Sequence, residues 1–129
     1  MESRHSASGA WRLAAFGLTL AAVLLHVYEQ FAKSAAPSIG WLLWAMLPYA
    51  LCLAVLARSR SGLPATLGAL VALAWDLNAY YDVFVHPTSS TAALAMIFVP
   101  LWSTIVFVPA AMLITWLPMR RSQQDHGID

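Results

Sequence analysis

Four apolar runs dominate the chain: Leu13 to Tyr28, Ile39 to Ala57, Leu63 to Val85 and Thr91 to Leu117. About 20 apolar residues cross a bilayer core roughly 30 Å thick. Inside that core a backbone can satisfy its hydrogen bonds only as helix or closed barrel, and these runs have helix length. The expected fold is all-α, an integral membrane, antiparallel four-helix transmembrane bundle with spans at about 11–31, 39–57, 63–86 and 90–117. One transmembrane domain, 11–118, would lie between a polar N-terminal tail, 1–10, and a polar C-terminal tail, 119–129.

The chain is 60% hydrophobic and 10% charged, where a soluble domain carries about 25% charged residues. A net charge of +1 excludes nucleic acid as a partner, which needs a dense basic surface. The lipid bilayer is the expected environment. The first run exceeds the roughly 7–15 residues of a signal-peptide core and carries His26 and Glu29, so it reads as a retained span. Cys52, the single cysteine, reads as a small core filler.

Breakers punctuate the runs. Ser38 suits a helix cap after Pro37, and Pro48 should kink the second span. Arg58 to Gly62 forms a tight polar turn, and Pro64 suits the first turn of the third helix. Ser89 or Ser90 should cap the fourth helix, which Pro100 and Pro109 should kink. Thr88 to Thr91 has an anion-binding composition, but capping explains it. Arg4, Arg12, Arg58, Arg60, Arg120 and Arg121 fall on one side and Lys33 on the other. This bias implies cytoplasmic termini, with a bacterial inner membrane as the expected location.

One stretch stands apart, Trp75 to His86, polar although it lies inside an apolar run. At 1.5 Å per residue, His26 lies about 21 Å above the inner interface, Asp76 about 20 Å and Asn78 about 22 Å. Tyr49, counted down from Trp41, lies about 12 Å below the outer interface, close to the same level. Glu29, Tyr80, Tyr81 and Asp82 form a second level nearer the outer surface. Tyr28-Glu29-Gln30-Phe31 and Tyr81-Asp82-Val83-Phe84 share a Tyr–acid–x–Phe pattern, which would set Glu29 and Asp82 at matching depth on parallel helices.

A carboxylate deep in a bilayer costs about 2.5–3.5 kcal/mol and demands a partner or a function. His26 is the partner for Asp76 by depth. Such a pair can relay protons, orient a base, or simply join two helices. His26 and Glu29 are three apart on one face, and Asp82 and His86 four apart. Together His26, Glu29, Asp82 and His86 make a remote metal option. The expected site is a polar pocket in the outer half of the bundle, with Asp76, His26 and Glu29 as candidate catalytic residues. Tyr49, Asn78, Tyr80, Trp75 and Trp44 are candidate ligand-binding walls. The leading expectation is binding of a small amphiphile, a lipid, quinone or isoprenoid, with acid–base chemistry as an extension. The alternatives are a non-catalytic accessory or assembly subunit partnered by other membrane subunits, and ion or proton transport. Transport fits less well, because the inner half of the spans is plain Leu, Ala and Val. The sequence leaves the cofactor unknown.

Overall fold

The computed structural model describes residues 2–87 and 90–125, and these are helical with no strands. The helices are α1 (Glu2–Tyr28), α2 (Ile39–Ala45), α3 (Leu47–Arg58), α4 (Leu63–Tyr80), α5 (Ala92–Trp102) and α6 (Val108–Asp125). Five-residue π-helical turns follow three of them: Glu29–Lys33 after α1, Tyr81–Val85 after α4, and Ser103–Phe107 between α5 and α6. By length and apolarity, Ala7–Lys33 and Leu94–Pro118 can each cross a membrane. The pair α2 and α3, bent by 51° at Met46, makes a third span if taken as one. The helix α4 falls outside this set, because Asp76 and Asn78 dilute its apolar character.

The breakers act largely as expected. Ser38 caps α2, its Oγ accepting from the Trp41 backbone N–H at 3.4 Å. The bend falls at Met46, with Pro48 in the first turn of α3 and no backbone N–H to continue the preceding helix. Pro64 sits in the first turn of α4. Pro109 has no N–H for the Ile105 carbonyl, and just before it the helix widens into the π turn Ser103–Phe107. There Thr104 Oγ1 donates to the Pro100 carbonyl at 2.7 Å. The Ser103 hydroxyl is fully buried with no hydrogen-bond partner among the described residues.

Some boundaries differ. Helix α1 begins at Glu2 and α6 runs to Asp125, so most of both polar tails is helical. No proline interrupts either stretch, and Ser8 Oγ anchors the first by donating to the Arg60 carbonyl at 2.9 Å. Thr91, rather than Ser90, holds the cap position of α5. Thr88 and Ser89, with the second cap expectation and most of the anion-binding one, lie outside the described residues.

Helix α4 is central and packs against α1, α3, α5 and α6. Thr66 near its start lies 2.6 Å from the Trp11 carbonyl of α1, and Asp76 near its end bonds His26. These contacts set α1 and α4 parallel. Leu56 packs with Ala15 and Ala65, while Tyr49 packs with Ala22 and Ala72, so α3 runs the other way. The buried face of α4 is Ala65, Gly68, Ala69, Ala72, Asp76 and Ala79, at helical spacing. Small residues let neighbouring backbones approach. Large apolar side chains point outward instead: Leu13, Phe16, Leu20, Leu24, Val27 and Phe31 form a continuous exposed stripe on α1. This inversion of the soluble pattern makes a membrane location plausible.

The closest backbone approach is at Gly62, where a Cβ would stand 2.5 Å from the Arg12 amide nitrogen and 2.8 Å from the Trp11 carbonyl carbon. Arg12 also donates to the Leu56 and Ser59 carbonyls at 3.3 and 3.2 Å, closing the end of α3. Gly62→Ala should therefore cost about 1–3 kcal/mol, the usual range for overpacking against a rigid neighbour. Gly17→Ala, where a Cβ meets nothing within 4 Å, should be neutral or stabilise by up to about 1 kcal/mol. Reversible unfolding in mixed micelles measures both, and equal effects would contradict the packing. In the same assay Ser103→Ala should be neutral or stabilising, because it removes a buried unpaired hydroxyl.

Candidate functional site

The last turn of α1 carries His26 and passes into the π turn without a break, so His26 and Glu29 stay on one face. His26 Nδ1 lies 3.0 Å from Glu29 Oε2. Its Nε2 lies 3.1 Å from Asp76 Oδ2 on α4. Tyr49, turned inward just after the Met46 bend, donates its hydroxyl to the same Asp76 oxygen at 2.5 Å. The Tyr49 ring meets the imidazole edge-on, with centroids 6.3 Å apart. Three helices are thereby joined through four side chains exposed by only 6% (His26), 4% (Glu29), 4% (Asp76) and 1% (Tyr49).

In the tautomer with Nε2 protonated, Asp76 Oδ2 accepts from both the Tyr49 hydroxyl and His26 as a carboxylate. With Nε2 protonated, the contact between Nδ1 and Glu29 needs one further proton. That proton sits either on Nδ1, leaving Glu29 ionised, or on Glu29, leaving the imidazole neutral. Either way the minimal state holds one shared proton and one net negative charge. Asp76 and Tyr49 fix the imidazole, and the exchangeable position is at Glu29. The arrangement follows the logic of a base oriented by a third group.

Two cavities adjoin this chain. The inner one, about 20 Å³, touches His26, Glu29, Asp76 and Tyr80, with Trp41 and Met96 among its other walls, and has room for about one water molecule. The outer one, about 460 Å³, lies between the turn after α1, the start of α2 and the turn after α4. Its polar wall includes Glu29, Gln30, Ser34 and Ser38, and its apolar wall Val83, Phe84 and Met96. Glu29, Trp41 and Met96 border both cavities. Gln30 is buried, and its Oε1 accepts from the Ser38 backbone N–H at 3.2 Å, tying the turn together.

The structure brings together His26, Glu29, Asp76 and Tyr49, with Tyr80 alongside. It does not bring Asn78, Trp75 or Trp44 to them. Asn78 is exposed and donates to Asp82 at 3.3 Å. Trp75 stacks outward on Phe107, with centroids 4.7 Å apart. Trp44 donates its indole N–H to the Ile97 carbonyl at 3.2 Å. Asp82 and His86 are also exposed, His86 stacked on Tyr81, so the remote metal set is not assembled. Among the described residues no three His, Cys, Asp or Glu side chains converge as a metal site. The two nitrogens of His26 point at different carboxylates across the ring, which spaces those carboxylates rather than focusing them. Gln30 and Trp41 are the site residues that depth counting passed over. An amide beside Glu29 inside a span is the available signal for Gln30; for Trp41, the starting point of the depth count at the outer interface, the sequence offers none.

The two Tyr–acid–x–Phe segments both end in π turns, but out of register. Tyr28 precedes its turn, whereas Tyr81 opens its own. Since His26 and Asp76 share a level, Asp82 stands three residues, about 4.5 Å, further out than Glu29.

Compared with known proteins, the chain matches no family model, no curated protein and no solved structure.

A double-mutant cycle tests the network. His26→Ala leaves two buried carboxylates without their shared donor and should cost about 3–5 kcal/mol, against about 1–3 kcal/mol for Tyr49→Phe. His26→Ala combined with Asp76→Ala should cost less than the sum by more than about 0.5 kcal/mol. Additive losses in unfolding free energy would show that the pair is not coupled.

Proposed function

We propose that this is an integral membrane protein folded as an antiparallel four-helix transmembrane bundle, with α2 and α3 forming one bent span and α4 crossing as the central helix. Its termini lie on the arginine-rich, cytoplasmic side. The pocket at the opposite end binds a small amphiphile, a lipid, quinone or isoprenoid, and Glu29 is its reacting group. One observation carries this reading. Glu29 is the terminal member of the hydrogen-bonded chain to His26, Asp76 and Tyr49, and it also lines the 460 Å³ pocket.

The chemistry available there is acid–base. Glu29 accepts a proton from bound substrate while the shared proton rests on His26 Nδ1, or donates it when the imidazole is neutral. An isomerisation needs no co-reactant, since a proton removed at one carbon is matched by one returned at another. Asp76 and Tyr49 act as positioning residues. This assignment moves the base from Asp76, which is spent on two donors, to Glu29. Transport gains no support: the core cluster below the network is Ala22, Cys52, Ala69, Ala72 and Val108, with no acid or imidazole in that cluster to continue a relay.

A second reading has its own observation. A buried polar chain that ties three helices, with His26 and Asp76 bordering only a one-water cavity, also suits an accessory subunit, in which the network is interhelical glue. Filling the pocket separates the two. A Cβ on Gly40 meets only Ser38 Oγ, at 3.7 Å, and Gly40 lines the pocket, so Gly40→Phe should occupy it without disturbing the network. Full-length wild-type protein should co-purify with an amphiphile detectable by mass spectrometry. Gly40→Phe should lose that amphiphile and keep its unfolding midpoint. Wild-type protein that is empty, and that purifies only with a second membrane protein, would favour the subunit reading.

A further inference from the structure

We infer that the outer pocket selects an amphiphile with a protonated amine head. The inference rests on the pocket reading above and adds the charge of the ligand. The lining of the pocket carries one ionisable side chain, Glu29. Lys33 is the nearest cation in sequence, but it is exposed, and its Nζ lies 5.9 Å from the centre of the Tyr28 ring. Behind Glu29 the inner cavity is bordered by Asp76 as well. Among the described residues no lysine or arginine borders either cavity.

In its minimal protonation state the chain from Glu29 to Asp76 holds one uncompensated negative charge inside apolar surroundings. Such a charge is costly unless a cation or a second proton offsets it. A bound ammonium supplies the cation. It donates to the Glu29 carboxylate, the shared proton settles on His26 Nδ1, and the assembly of amine, Glu29, His26 and Asp76 becomes neutral. Trp41 and Phe84 line the same pocket and offer aromatic faces to a cation, while Val83 and Met96 receive an apolar tail. An anionic head would face Glu29 with no donor of its own. A neutral alcohol could donate to Glu29 but would leave the net charge in place.

Three short probes of matched shape separate these cases: 4-phenylbutylamine, 4-phenylbutanol and 4-phenylbutanoate. Binding to the full chain in nanodiscs is read by calorimetry, with empty nanodiscs subtracting partition into lipid. The amine should bind about tenfold or more tighter than the alcohol, the worth of one charge-assisted hydrogen bond, and the carboxylate should not saturate. Glu29→Gln should abolish the preference, so that amine and alcohol bind the variant within about twofold of one another. The order of the three probes on wild-type protein is decisive even if that variant does not fold. Equal binding of amine and alcohol would overturn the amine inference and leave the amphiphile pocket standing. Failure of all three to saturate would remove the pocket reading itself.

Discussion

An imidazole engaged at both ring nitrogens holds this structure together. Asp76 lies deep in an apolar helix, where a carboxylate without donors would be expelled or neutralised. His26 and Tyr49 supply those donors from two other helices. Because Thr66 meets Trp11 near the start of α4 and Asp76 meets His26 near its end, the bond also holds α1 and α4 parallel and in register. Removing it leaves two acids buried beside one another.

The packing follows from that constraint. Helices must come close for side chains as short as Asp to meet imidazole, and α4 meets the need with alanine and glycine along its buried face. Gly68 is a case in point: a Cβ there would stand 3.0 to 3.2 Å from Met112, Cys52 and Val108. Bulk is displaced to the outside, where leucine, phenylalanine and isoleucine face what would be lipid. Small residues within and large ones without is the reverse of a soluble core. It is workable because association in a bilayer draws on packing and hydrogen bonds rather than on apolar burial.

Much of this was legible in the sequence, and the misplacements of Asn78 and Trp75 share one cause. Counting residues along a span gives height, and height correctly grouped His26, Asp76 and Tyr49. It says nothing of direction around the helix. Asn78 shares the level of Asp76, but two residues turn a helix by about 200°, so it points away from the bundle. Trp75 adjoins Asp76 and still lies outside. Trp44 sits beyond the Met46 bend, which redirects it toward α5. The π turns after α1 and α4 were invisible because they follow from how helix ends close, whereas the one between α5 and α6 adjoins Pro109. Spacing breaks the register of the two Tyr–acid–x–Phe segments, with Glu29 three residues beyond His26 and Asp82 six beyond Asp76, so a likeness of letters does not become a likeness of place.

The contact at Gly62 has a mechanical consequence. At the arginine-rich end α1 and α4 touch backbone to backbone, with no side chain between them to yield. Fourteen residues along α1, from Arg12 to His26, they are joined only by side chains. The first contact is a fulcrum and the second a latch, separated by a lever arm of about 21 Å. A tilt of about 3° around that fulcrum carries the far end by about 1 Å, enough to stretch the latch past hydrogen-bonding distance while hardly altering the near end. The two helices would thus part like the jaws of a peg, at the end where Glu29 meets the pocket.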